Sequence, residues 1–427
     1  MTAEIAILNR IGVALAADSA VTISSSQGDA KVYDSAEKLF EMPGRPVGIM
    51  VHGNADFMGV PAEVIIKGYI AWSEGKAEPK LQHYASNFLT YMREHVEYED
   101  AAVMQRLSSI VVERLAGMNL VAEREFHESA GKSDGTITRA AVFKATRIRD
   151  LLDEEIARLH EFADAREMSR SNLPEQLEEI VENAIEAVLG EGLLRLKDDF
   201  VEFFRLLLLK EPPLGGEIGI VFAGFGEDDP FPAIYAFECD LAFASQLKLR
   251  IVHEAEISSE GHALIVPFAQ SEMITRFLDG VDPDFYAFTC GAMHGALTLF
   301  ANQIASRLGL KNDGSNEEFF AELQQLRDAF LEEFDQAATD YRVRAFRDRV
   351  LQVVQFMPRS DLVDMAESLV NLTSIKRRVS AERETVVGPV DVAIVSKYDG
   401  FHWARRKGHP ATRPRGEKVR FPAGVAA

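Results

Sequence analysis

Threonine directly follows the initiator methionine in this chain. Met1 is normally removed when the next residue is small, which leaves Thr2 with a free α-amine beside its own hydroxyl. Such a residue carries nucleophile and base together, because the amine accepts the hydroxyl proton through a water. The amine's reference pKa of about 7.7–8.0 lies close to working pH. Many chains begin Met-Thr without using it, so the chemistry needs companions. Asp18 ends the apolar run Gly12-Val13-Ala14-Leu15-Ala16-Ala17, where a carboxylate must be paired or hydrogen-bonded. Lys38 stands in Glu37-Lys38-Leu39-Phe40. An ammonium beside the terminal amine depresses that amine's pKa and keeps it a base, and Asp18 is placed to hold the lysine. The same Asp–Lys pair also serves as a purely structural ion pair in many cores.

Other chemistries find less support. The ten histidines include no HExxH spacing, and Cys290-x-x-x-His294 offers only two ligands, so no metal is expected. The two cysteines, Cys239 and Cys290, form no CxxC and no disulfide framework. Ala223-Gly224-Phe225-Gly226 lacks the third glycine of a dinucleotide loop and is followed by acids. There is no GxxxxGK[ST], so no nucleotide or other cofactor is expected. The 46 basic residues stand against 67 acids, a net charge of −21, which repels nucleic-acid phosphates. No apolar run approaches the roughly 18 residues of a membrane span. Arg10 followed by Ile11–Ala17 imitates a signal peptide, but the apolar stretch is short and contains Gly12, so a cytoplasmic protein without membrane contact is expected.

These residues must be held by elements. Ala3–Leu8 and Val13–Ala17 read as strands buried on both faces, with turn chemistry at Asn9–Gly12 between them. Short strands are expected at Lys31–Tyr33, Lys38–Met42 and Val47–Val51. Helices follow from Pro61, over Leu81–Tyr98 and over Ala101–Glu128. Residues 130–212 read as a charged helical insertion in which Leu151, Leu159 and Phe162 form a core or helix–helix stripe. Strands return after Pro212–Gly216, over Glu217–Phe225, Pro232–Glu238, Leu247–Ile257 and Ala263–Pro267. Helices are expected over 270–309 and 316–355, the latter within a second insertion of 310–356, and from Ser360 to about Arg378. Val390–Lys397 and Phe401–Arg405 close the series. Residues 405–427 hold seven basic residues and one acid, and 407–427 reads as a basic flexible tail. The order strands, helices, strands, helices, strands, without βαβ alternation, indicates an α+β chain in which two sheets are covered by helices.

Four segments together resemble the proteasome β-type subunits and the bacterial HslV peptidases. They are Thr2 after Met1 with G-V-x-L-A-A-D-S-x-V-T at Gly12–Thr22, K-L-F at Lys38, G-I-M-V-H-G-N-A-D at Gly48–Asp56, and the hairpin Ile220–Asp240. Gly388–Val395 with Asp399-Gly400-Phe401 is similar to the closing strands of that family. The resemblance implies an N-terminal-nucleophile (Ntn) hydrolase, a four-layer αββα sandwich spanning 1–427 as a single domain with the two helical insertions. It implies Thr2 as nucleophile, its amine as base, and Asp18 and Lys38 as the tuning pair. It assigns the backbone oxyanion donor at or near Met50, where the family has glycine, and loosely matches the later serine to Ser271. The late acid falls at Glu382 or Glu384, and the serine after it has no counterpart at Val386-Val387. The implied activity is hydrolysis of peptide bonds in a peptide or protein substrate. The implied partners are further copies of the chain, since the family forms rings, and an ATP-dependent unfoldase. Two alternatives keep the fold: a catalytically inactive scaffold, and an amidase of a non-peptide substrate.

Overall fold

The computed structural model describes residues 3–19, 21–24, 30–33, 36–130, 137–259, 261, 263–310, 316–379 and 389–407. The strands β1 (Ala3–Asn9), β2 (Gly12–Asp18), β3 (Val21–Ser24), β4 (Ala30–Tyr33), β5 (Leu39–Glu41), β6 (Val47–Gly53), β7 (Asp56–Phe57) and β8 (Val60–Pro61) come first. Helices α1 (Ala62–Trp72), α2 (Leu81–Glu94), α3 (Asp100–Ala130), α4 (Ile137–Glu161), α5 (Leu177–Ala184) and α6 (Lys197–Leu209) follow. Next are β9 (Ile218–Gly224), β10 (Ala233–Phe243), β11 (Gln246–Glu256) and β12 (Leu264–Ala269). The chain then runs through α7 (Glu272–Asp279), α8 (Pro283–Arg307), α9 (Glu317–Arg342), α10 (Asp348–Val354) and α11 (Arg359–Val379) to β13 (Val390–Ser396) and β14 (Gly400–Arg405). The protein is α+β, and the strand pairings are antiparallel.

Contacts divide the chain into two compact units, one of residues 1–36, 257–397 and 402–427, the other of residues 37–256 and 398–401. The first unit is built on a sheet of order β12-β1-β2-β13-β14. Its first two strands are buried along their whole length, as their small and branched residues anticipate. Asn9 closes the turn between them by accepting the N–H of Ile11 at 3.0 Å. The Asn9 amide donates to the carbonyls of Val354 and Met357, both at 3.0 Å, which ties the turn to the α10–α11 connection. Alternate residues Ala3, Ile5, Ile7, Ala14, Ala16 and Val392 form one face, packed against α7 and α11. In α11 the buried positions Leu362, Val363, Ala366, Leu369, Val370 and Thr373 keep helical spacing. Alanines on both sides of this contact let the helix lie close to the sheet.

The second unit has a sheet of order β11-β10-β9-β6-β5. Tyr69 of α1 and Phe88 of α2 meet edge to face at 5.1 Å, and Phe88 meets Phe222 of β9 at 5.6 Å. Tyr69 satisfies its buried hydroxyl by donating to the Tyr84 carbonyl at 2.8 Å. The helical insertion expected at 130–212 belongs to this unit, with Ile148, Leu152 and Leu159 of α4 in its core. Phe162, expected in that stripe, is exposed. The expected helix over 270–309 is broken at Gly280, whose φ is 67°, and restarts at Pro283 with Asp282 capping the N–H groups of Asp284 and Phe285. The expected helix over Leu81–Tyr98 ends at Glu94. The short strand β3 has no counterpart in the sequence reading.

Candidate functional site

In the first unit the chain begins its described course at Ala3, fully buried at the head of β1. Strand β1 lies between β2 and β12, with Glu4 opposite Ala17 on one side and Ala3 opposite Ala269 on the other. This register brings the end of β2 to the start of β1. The Ala3 N–H donates to Asp18 Oδ1 at 3.2 Å, and both residues are buried. The neighbouring Ser19 donates its hydroxyl to the Pro389 carbonyl at 2.7 Å, and its own carbonyl accepts the Ala36 N–H at 3.2 Å. The end of β2 is thus fixed on both sides.

The pairing of β1 with β12 brings Gln270 and Ser271 to the same end of the sheet, one and two residues past Ala269. Ser271 is half-buried and opens α7, its carbonyl accepting the Thr275 N–H at 2.8 Å while its side chain makes no capping bond. Gln270 is buried and receives the Arg377 Nε–H at 2.7 Å. Arg377, also buried, stands 3.7 Å from Glu272 as well. The structure therefore gathers Asp18 and Ser271 around the start of β1 and adds a glutamine and a guanidinium that the sequence reading omits. Ser271 itself was the available signal for Gln270. Arg377 carries none, because Lys376-Arg377-Arg378 at a helix carboxyl end is the charge pattern the helix dipole favours in any solvated helix.

Lys38 belongs to the second unit. It precedes β5, is buried, and its carbonyl accepts the Val51 N–H at 2.9 Å. Beside it, His52 of β6 is buried, with its ring against Gly219 of β9, where a Cβ would fall 2.0 Å from the imidazole. Burial and then the Lys38 charge push the His52 pKa down to about 4. The sequence reading gives His52 no role.

Met50 lies inside β6, opposite Leu39 of β5 and Val221 of β9. Because the Val51 N–H points to β5, alternation along the strand turns the Met50 N–H towards Val221. That N–H is a ladder donor, which differs from the open oxyanion donor the resemblance assigns at or near Met50. Thr2 and Glu384, like Glu382 and Val386-Val387, lie outside the described residues. So does most of the basic tail.

Elsewhere, a cavity of about 660 Å³ in the second unit is bounded by Arg93, Asn172 and Gln246 and includes none of the candidate residues. Among the described residues no three His, Cys, Asp or Glu side chains group as metal ligands. Burial pushes the Cys239 thiol well up, which keeps it protonated and inert. No described helix is long and apolar enough to cross a membrane. No protein-family model matches this chain, and no curated protein matches it.

Proposed function

We propose that the chain is an N-terminal-threonine amidohydrolase on a four-layer αββα fold, with Thr2 as nucleophile after loss of Met1. One observation carries the reading. Asp18, a buried carboxylate, holds the N–H of Ala3, and that nitrogen is the one acylated by Thr2. A carboxylate fixed at that point fits the task of orienting the residue that follows Met1. Ser271 at the same end of the sheet supplies a hydroxyl of the kind that relays a proton. Lys38 enters on the resemblance alone.

In this mechanism the Thr2 hydroxyl proton passes through a water to the α-amine as Oγ bonds the substrate carbonyl carbon. The carbon–nitrogen bond then breaks, and the leaving nitrogen takes the proton from the ammonium. A water splits the resulting ester, which releases the acid and restores Thr2. No step is assigned to the Met50 N–H.

Intact mass of the purified chain is expected to lack Met1 and show an unmodified Thr2. An epoxyketone probe, selective for N-terminal threonine, is expected to label Thr2 in peptide mapping. Thr2→Ala should lower hydrolysis of peptide amides by about a thousandfold or more with folding intact. Asp18→Asn and Lys38→Ala should each lower it as well. A retained Met1, an acetylated Thr2, or a fully active Thr2→Ala overturns the mechanism. A panel of acyl amides run beside the peptides separates a peptidase from an amidase of other substrates.

A further inference from the structure

Helices α8 and α9 form a long hairpin inserted in the first unit. Of the 25 residues of α8 only Ala305 is buried, and in α9 none is. The two helices hold each other through polar contacts. Tyr286 donates to Asp335 at 2.7 Å, and the Arg342 guanidinium stacks 3.8 Å from the Tyr286 ring. The outward side of α8 is apolar. Phe285, Phe288, Gly291, Ala292, Gly295 and Leu299 fall on one stripe at helical spacing and are exposed, Phe288 by 70 %. A Cβ at Gly291 or Gly295 would meet nothing within 4 Å. Two glycines inside a helix cost about 1 kcal/mol each, and among the described residues no packing contact gives a return for it.

We propose that this face of α8 is the interface of a homodimer, in which α8 crosses α8 of a second copy antiparallel. Three observations select a second copy as the occupant. The first is area. Phe285, Phe288 and Leu299 on the stripe, and Phe300 beside it, are each exposed by about two-thirds. At roughly 100–150 Å² apiece they supply about half to three-quarters of the ~800 Å² per partner that a stable dimer buries. The second is charge. Helix α8 has one aspartate and one arginine, so two α8 faces meet without repulsion of their own, whereas α9 carries eight carboxylates and two arginines. A neutral face offers no attraction to a charged partner. The third is shape. With the two-fold axis beside Gly291 and Ala292, Phe288 of each copy stands opposite Gly295 of the other, a bulky residue facing a gap. An isologous contact requires this self-complementarity.

Light scattering and sedimentation equilibrium on the full chain, at about 10 µM, test the proposal. The expected mass is twice 47.4 kDa. Phe288→Glu and Leu299→Glu should weaken the dimer by about a hundredfold or more. Phe356→Glu, at an exposed position outside the stripe, should leave it intact. Far-UV circular dichroism reports whether each variant folds. Ala292→Cys in a Cys290→Ser background should give a disulfide-linked dimer under copper–phenanthroline oxidation, a readout that does not depend on the glutamate variants. A monomeric parent overturns the proposal, as does a monomer that sediments with phosphatidylcholine vesicles, a dimer untouched by both glutamates, or a failure of Ala292→Cys to cross-link. None of these results bears on Thr2.

Discussion

His52 is neutral at neutral pH because burial, and then the nearby Lys38 charge, disfavour its protonated form. The unfolded chain protonates the same ring near pH 6.5, whereas the folded chain does so only at about 4. Between those values the unfolded state binds more protons, so stability falls as the pH drops from about 6.5 to about 4 and is level outside that window. The loss is about 3 kcal/mol at about 1.4 kcal/mol per pH unit. Chemical denaturation of the parent and of His52→Asn at pH 7 and pH 4 should show the parent's advantage shrinking by about that amount. Parallel pH slopes would refute it. At this scale the sequence is a partial guide. Asp18 was legible because a carboxylate closing a run of small apolar residues has to be satisfied, and the Ala3 N–H satisfies it. Arg377 was not, because its partner Gln270 lies 107 residues away and nothing local distinguishes it from its solvated neighbours Lys376 and Arg378.

Helix α2 starts without a cap of its own, since Lys80 offers no side-chain acceptor. The acceptor comes from the loop between β9 and β10. There Asp229 takes the N–H of Leu81 at 2.9 Å and that of Gly226 at 2.8 Å, and pairs with the Lys80 ammonium at 2.7 Å. The loop can lie this close because Gly226 has no side chain, and a Cβ there would fall 2.4 Å from the Pro79 carbonyl oxygen. Burial alone would raise the Asp229 pKa, but the Lys80 hydrogen bond and the two backbone donors bring it below the usual carboxylate value. Its contribution is therefore present above about pH 4 and lost as the pH falls further. Asp229→Ala leaves a helix end and a loop unsatisfied and should cost about 2–4 kcal/mol at pH 7, with Asp229→Asn costing less. Equal urea midpoints for parent and Asp229→Ala would refute that. The sequence marks Gly226–Pro230 as a turn, and turn it is, yet the capping of a helix 148 residues earlier is not a local property. The Gly280–Pro283 break, by contrast, was written locally in an αL glycine, an aspartate cap and a first-turn proline.

On the scale of the whole chain, the alternation of strand-rich and helix-rich segments was legible. The pairs joined by short turns, β1 with β2 and β9 with β10, were legible as well, whereas pairings across long connections were not. Strand β2 lies between β1, its neighbour in sequence, and β13, some 370 residues on, and hydrophobic period alone does not encode such a partner. Charge, however, is a property of the whole that the sequence states outright. At −21 two copies of the chain repel each other across water. If they meet on the neutral face of α8, the contact has no ion pairs for salt to screen, while the repulsion between the acidic remainders is screened as the Debye length shrinks from about 10 Å at 0.1 M to about 3 Å at 1 M. Salt therefore acts on the opposing term alone. The dimer Kd should tighten several-fold between about 0.05 and 0.5 M NaCl, measured by sedimentation equilibrium on the full chain. An interface built on α9 carboxylates and a basic segment would loosen over the same range, and that sign would move the contact away from α8.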